Sequence, residues 1–201
     1  MNKKLITSTL FILYAICAIA QQDSQIDVDE FRNNGYFNIT KLGYISVNDA
    51  SSETFAVGEG VILTKLPSDR ANAISFHTIN GYFFNPYLSA GIGVGLDGYH
   101  NPNYNTLPIY LDVRGYLTDG LGSPYVYLNY GTLIKIQNGP RNGNIFNIGL
   151  GYKIPLNDNR FVIVSDIGYS YKAVSNDGKS INDSESYAML KGMVLSLGVI
   201  F

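Results

Sequence analysis

LSAGIGVGLDG, residues 88–98, decides the fold. Leu88, Ala90, Ile92, Val94 and Leu96 share one parity; Ser89, Gly91, Gly93, Gly95 and Asp97 share the other. Successive side chains of a strand point to opposite faces, so strict alternation predicts a strand with one apolar face and one of small or polar groups. Glycine-rich nucleotide loops need a strand-to-helix turn. Here the glycines alternate along one strand, which excludes that reading.

The same period recurs along the chain. In 107–117, Leu107, Ile109, Leu111 and Val113 oppose Tyr110, Asp112, Arg114 and Tyr116. In 145–154, Phe146, Ile148, Leu150, Tyr152 and Ile154 oppose Asn147, Gly149, Gly151 and Lys153. The chain closes on MVLSLGVIF, with Met193, Leu195, Leu197, Val199 and Phe201 opposing Val194, Ser196, Gly198 and Ile200. The pattern predicts eight strands, near 36–48, 72–84, 87–99, 106–118, 123–136, 144–156, 160–173 and 187–201. Asn85-Pro86, Thr118 to Gly122 and Asn157-Asp158-Asn159 carry turn chemistry and are short. The connections 49–71, 100–105, 137–143 and 174–186 are longer and polar. Even strand number and this long–short order place every short turn at one end, with both termini.

Alternation alone does not say which face meets water. These strands run about 12–14 residues, whereas globular strands cluster near 5–6 and membrane strands need about 9–11. Their weaker face carries Gly, Ser, Asn and Tyr rather than the Lys/Glu-rich surface of a soluble domain. The expectation is an all-β fold, an eight-stranded antiparallel up-and-down transmembrane β-barrel, whose lumen side chains just fill. The greasy terminus then needs no separate cover, because barrel closure pairs both of its edges.

Composition agrees. Of 201 residues, 15% are charged, and there are 21 Gly and 16 Tyr but no Trp. Typical soluble domains carry about 25% charged residues. Lys3 and Lys4, an uncharged apolar run, and Ala18-Ile19-Ala20 before Gln21 have the layout of a cleaved secretory signal peptide over 1–20. Residues 21–34 read as an acidic, flexible periplasmic lead, and 35–201 as the barrel. Cys17, the single cysteine, falls in the leader. The mature chain is acidic, which gives no field for nucleic acid.

The charged residues on the weaker face are Asp97, Asp112, Arg114, Lys135, Lys153, Asp166 and Lys172. Acids and bases nearly balance, so they are expected to pair as a lumen network that plugs the barrel. The alternative is a lining for a small-solute channel. Lys41 does not fit a strand whose apolar row is Phe37, Ile39, Ile45 and Val47; a bulge or a reversed phase would put it inside. Lys191 lies in the apolar row of the last strand, near the loop end, where it could snorkel to outer headgroups. Ser75 and His77 share a face and raise a lipid-modifying enzyme, but catalysis also needs an acid that orients the imidazole. His100 is expected in solvated loop. No metal-ligand spacing or cofactor motif is present. Tyr82, Phe84, Tyr87, Tyr116, Tyr125, Phe161 and Phe201 gather at the short-turn end, and Tyr44, Tyr99, Tyr130, Tyr169 and Tyr171 toward the loop end. Those pointing outward would form interfacial girdles, and the others would fill the lumen.

TINGYFFNPYLSAGIGVGLDGY (78–99) followed by LPIYLDVRGYL (107–117) resembles the small outer-membrane β-barrel domain families of Gram-negative bacteria. The resemblance covers most of the mature chain and is weakest over 49–71. It implies an outer-membrane location, insertion by the barrel-assembly machinery, and an assembly signal at Leu197, Val199 and Phe201. The partners expected are outer-membrane lipid and an extracellular ligand met through the loops, with the chain a monomer. Members mostly lack an assigned activity, so it implies a structural or surface-interaction role.

Overall fold

The computed structural model describes residues 33–201 except 57–59, 67–70, 102–103, 121, 136–140, 156–161 and 177–185. The expected leader, most of the lead, the turn at 157–159 and Phe161 lie outside the described residues. Among the described residues nine strands follow in order: β1 (Gly35–Ala56), β2 (Gly60–Lys65), β3 (Asn72–Asn85), β4 (Leu88–His100), β5 (Tyr104–Tyr116), β6 (Ser123–Lys135), β7 (Arg141–Pro155), β8 (Val162–Asn176) and β9 (Ser186–Ile200). All pairs are antiparallel neighbours, and β1 also pairs with β9. β1 and β3–β9 therefore close an eight-stranded barrel. At the seam Phe201 and Asn38 exchange two main-chain bonds, Asn38 N–H to Phe201 O at 2.7 Å and Phe201 N–H to Asn38 O at 2.9 Å.

The stretch expected as a long loop, 49–71, is partly sheet. β1 continues to Ala56 and folds back as β2, with register from Ser51↔Lys65 to Ala56↔Gly60. Val61, Ile62, Leu63 and Thr64 form a short β-branched and aliphatic run, and Gly60 takes φ +83° where the chain turns. That run was too short to stand out by periodicity. The other loops are also shorter than expected, because β5, β7 and β8 extend into them.

The short ends follow the turn chemistry. Asn85 pairs with Leu88 across Pro86-Tyr87, and Asn85 Oδ1 accepts from Tyr87 N–H at 2.9 Å. At the β5–β6 turn, Ser123 Oγ accepts from Thr118 N–H at 3.2 Å and donates to Thr118 O at 3.0 Å.

The outward wall is apolar. Ile92, Leu96, Leu111, Val126, Leu150, Ile167, Leu195 and Leu197 all expose half or more of their surface. The inward wall buries Lys, Arg, Asp, Asn and Ser together with aromatic rings. β1 departs from the expected phase. Phe37, Ile39, Lys41, Ile45 and Val47 point inward and are buried, whereas Tyr36, Leu42 and Tyr44 point outward. A bulge between Val47 and Asp49 then flips the parity, so Ala50 is buried and Asp49 stands opposite Lys191.

Candidate functional site: the lumen network

The lumen is layered. At the short-turn end, Phe37, Phe83, Tyr116 and Tyr125 form a chain of tilted rings with centroids 4.7, 5.3 and 5.4 Å apart. At the loop end, Val47, Ala73, Leu133, Ile145, Val174 and Leu190 are buried in an apolar layer. The charged groups other than Lys153 lie between these two layers. Sequence alternation places them on the inner wall, and closure brings residues far apart in the chain within bonding distance.

Two networks occupy the middle. In the first, Asp97 Oδ2 accepts from Lys172 Nζ at 2.6 Å and from Thr106 Oγ1 at 3.2 Å, and Asp97 Oδ1 meets His77 Nε2 at 2.9 Å. The other imidazole nitrogen, Nδ1, meets the Tyr110 hydroxyl at 2.9 Å. With Nε2–H donating to the carboxylate, Nδ1 is left to accept from Tyr110. In the second, Asp166 accepts from Lys41 Nζ at 2.8 Å, from Ser196 Oγ at 3.0 Å and from the Tyr125 hydroxyl. Beside them, Arg114 Nε donates to Asp112 Oδ1 at 2.8 Å, and Asn129 Nδ2 to Asp112 Oδ2 at 2.7 Å.

Each lumen cation with a described side chain also lies against a ring. Lys41 sits 5.2 Å from the Tyr127 centroid, Lys172 5.2 Å from Tyr99 and Arg114 5.0 Å from Tyr125. Lys153 is different. It lies 5.5 Å from Tyr116 and 5.7 Å from Phe83 and donates to Asn33 Oδ1. Cation–π attraction is stronger where the cation is desolvated, as it is here. Asn33 Nδ2 reaches the carbonyls of Pro86 at 2.7 Å and Thr118 at 3.3 Å. One buried asparagine thus ties two short turns and Lys153 across the lower mouth.

Six of the seven charged residues singled out in the sequence lie on this inner wall: Asp97, Asp112, Arg114, Lys153, Asp166 and Lys172. The seventh, Lys135, pairs in register with the inward-facing Thr106, and its side chain lies outside the description. Tyr110, Tyr125, Asn129, Ser196 and Asn33 were missed as network members, and Lys41, whose side the sequence left open, joins them. Tyr110 shares parity with Asp112, so that signal was available; Asn33 precedes the first strand and carried none. Ser75 and His77 both point inward, but Asp97 and Tyr110 engage the two nitrogens of the imidazole. His100 is exposed at the end of β4.

Packing explains the glycine row. A Cβ at Gly95 would lie 2.0 Å from His77 Cδ2, and one at Gly151 2.3 Å from the Tyr125 ring. A narrow barrel alternates small and large residues to fit its lumen. A cavity of about 20 Å³ remains between the two networks, with the otherwise unpartnered Asn147 Oδ1 in its lining.

No protein-family model and no curated protein matches the sequence. Solved structures do match by shape. The outer membrane protein OprG from Pseudomonas aeruginosa aligns with a TM-score of 0.54 at 13% identity, covering 84% of this chain and 96% of that one. The chain has the fold of the small outer-membrane β-barrels. The outer membrane protein AlkL is similar over 90% of this chain and 96% of its own, at 16% identity and a TM-score of 0.49. Neisserial surface protein A covers 97% of its length and 80% of this chain, at 16% identity and a TM-score of 0.39.

Proposed function

We propose that the chain is a plugged outer-membrane barrel that serves as a structural or surface-interaction element through its loop end. The observation that carries this reading is the reversed polarity of the two walls. Leu, Ile, Val and aromatic side chains cover the outside while Asp, Lys and Arg are buried inside. Water on the outer wall would make that wall an aggregation surface; hydrocarbon makes it a solvent-matched one. Residues 1–20 serve export in this reading, and Leu197, Val199 and Phe201 serve recognition by the assembly machinery.

Two layers seal the charged middle of the lumen, which favours a plug over a channel. The rival enzyme reading has its acid, because Asp97 contacts His77, yet Asp97 and Tyr110 take up both imidazole nitrogens. Expressed in a Gram-negative host, the full chain is expected in the outer-membrane fraction, migrating faster on a gel unheated than boiled. Soluble periplasmic protein with no such shift would overturn the reading. Lipid hydrolysis lost in a His77→Ala variant would replace the structural role with a catalytic one.

A further inference from the structure

Outside the barrel, at its loop end, β2, β1, β9 and β8 line a groove of about 530 Å³. Small-molecule sites span roughly 300–1,000 Å³. Register fixes what the floor presents. Lys191 on β9 stands between Tyr171 on β8 and Asp49 on β1. Two residues further along the strands, Ser51 stands between Met189 and Lys65, and beyond that Glu53 stands beside Leu63. Lys191 and Lys65 are therefore two strands and one row apart. With strands about 4.8 Å apart and a rise of about 3.3 Å per residue, their backbones are about 12 Å apart. Asp49 and Ser51 fill the interval. Lys191 and Asp49 form a loose pair at 3.7 Å. Among the described residues, neither Lys65 nor Glu53 has an ion-pair partner. The groove sits where the apolar wall ends. Toward the short-turn end the outward rows run on as Tyr169 and Ile167 on β8 and Met193, Leu195 and Leu197 on β9, all exposed.

We propose that this groove binds the headgroup of an outer-leaflet glycolipid, a disaccharide that carries a phosphate at each end. The proposal rests on the outer-membrane reading, in which the loop end is the cell-surface side and glycolipid forms the leaflet there. Two ammoniums and two carboxylates sum to zero, so the groove selects by placement and not by net field. A compact anion cannot meet both lysines, and set between them it would face the Asp49 carboxylate. A ligand whose two phosphates are held apart by sugar rings avoids that repulsion. Each phosphate then meets one ammonium through charge-assisted hydrogen bonds, at Lys65 and at Lys191. The ring hydroxyls between them donate to Asp49 and Glu53, as hydroxyls do to carboxylates. The wall accounts for the rest of the ligand. A polar groove at the top of an apolar wall fits an amphiphile whose chains run down that wall, and a soluble glycan would leave the wall unused.

The test uses the mature chain refolded in detergent and offered equal amounts of bisphosphoryl lipid A, monophosphoryl lipid A and phosphatidylglycerol, with retained lipid read by native mass spectrometry. The bisphosphoryl form is expected about tenfold above each of the others. Lys65→Gln and Lys191→Gln are each expected to erase its lead over the monophosphoryl form. Glu53→Gln is expected to raise phosphatidylglycerol and narrow the gap, because it removes a repulsive carboxylate. Equal retention of the two glycolipids, or a lead unmoved by either lysine variant, would overturn the proposal. Phosphatidylglycerol retained as well as the bisphosphoryl form would overturn it in favour of a plain phosphate site. Retention of the deacylated bisphosphoryl disaccharide as strong as that of the lipid would overturn it in favour of a soluble phosphorylated glycan. The heat-dependent gel shift is scored on the same samples. Its loss sinks the membrane reading itself; its persistence with no lipid preference sinks only the groove.

Discussion

β9 turns Met193, Leu195 and Leu197 outward and Ser196 and Gly198 inward. β1, bonded to it along the seam, turns Phe37, Ile39 and Ile45 inward. Its outward row mixes Leu42 and Tyr44 with Asn38, Thr40 and Ser46. Asn38, Thr40, Thr78 and Asn80 join there in a ladder, with Asn38 Nδ2 donating to Asn80 Oδ1 at 2.8 Å and to Thr78 Oγ1 at 3.1 Å. Two neighbours with the same period thus place different rows inside, a small and polar one on β9 and a mainly apolar one on β1. Period tells that a strand has two faces; it does not tell which face is inside.

Lys41 settles the side of β1. Facing outward, its ammonium would sit in hydrocarbon, at a cost of roughly 2.5–3.5 kcal/mol. Facing inward, it meets Asp166 at 2.8 Å. Phe37 and Ile39 lose nothing by following it in, because the lower lumen is already a layer of rings. The outward amides and hydroxyls satisfy one another, and this lessens the cost of turning them to the outer wall.

The largest effect that would break this comparison lies at the ion pair. Asp166→Asn keeps an acceptor for Tyr125 but leaves the Lys41 charge buried and unpaired, and should cost about 3–5 kcal/mol. Lys41→Met strands the carboxylate and should cost a similar amount. The double variant should cost clearly less than the sum of the two. Denaturant titration in lipid vesicles, read by the gel shift, checks all three. Simple additivity would show that the pair does not set the phase of β1.

The next effect contrasts the outer walls. Leu195→Arg, near the middle of β9, should destabilise by about 2–4 kcal/mol in a bilayer, whereas Asn38→Arg, close to the short-turn end of β1, should cost about 0–1 kcal/mol. Equal losses would mean that the two outer walls share one environment.

How far the sequence carried this picture depends on residue type. On β4, β5 and β7, and on β9 beyond Lys191, the apolar row runs on over several residues, so phase and inner-wall residues such as Asp97 and Arg114 were readable. On β1 both rows are mixed and the decisive partner of Lys41 is 125 residues away. No local pattern reports that distance. The bulge at Val47/Asp49 is equally silent, although it creates the Asp49–Lys191 pair. The acid beside His77 was also hidden, because Asp97 reaches it from the adjacent strand, diagonal to the His77↔Gly95 pair. β2 was missed because six residues are too few for a period to show.

The smallest effect concerns the glycine row. Gly95→Ala should cost about 1–3 kcal/mol by driving His77 off Asp97. Gly98→Ala, where a Cβ would meet its nearest neighbour at 3.5 Å, should be nearly silent. Equal behaviour would show that the inner wall is no tighter than the outer one.

The most direct test of the central claim is which parity touches lipid on each side of the seam. In a Cys17→Ser background, single cysteines along β9 (193–198) and β1 (37–44) would carry spin labels in bilayers. Collision with dissolved oxygen should peak at odd positions on β9 and at even positions on β1, with the intervening labels shielded from oxygen and from aqueous nickel reagent. Oxygen peaks of the same parity on both strands, or ready access of the aqueous reagent to 195 and 197, would contradict the account.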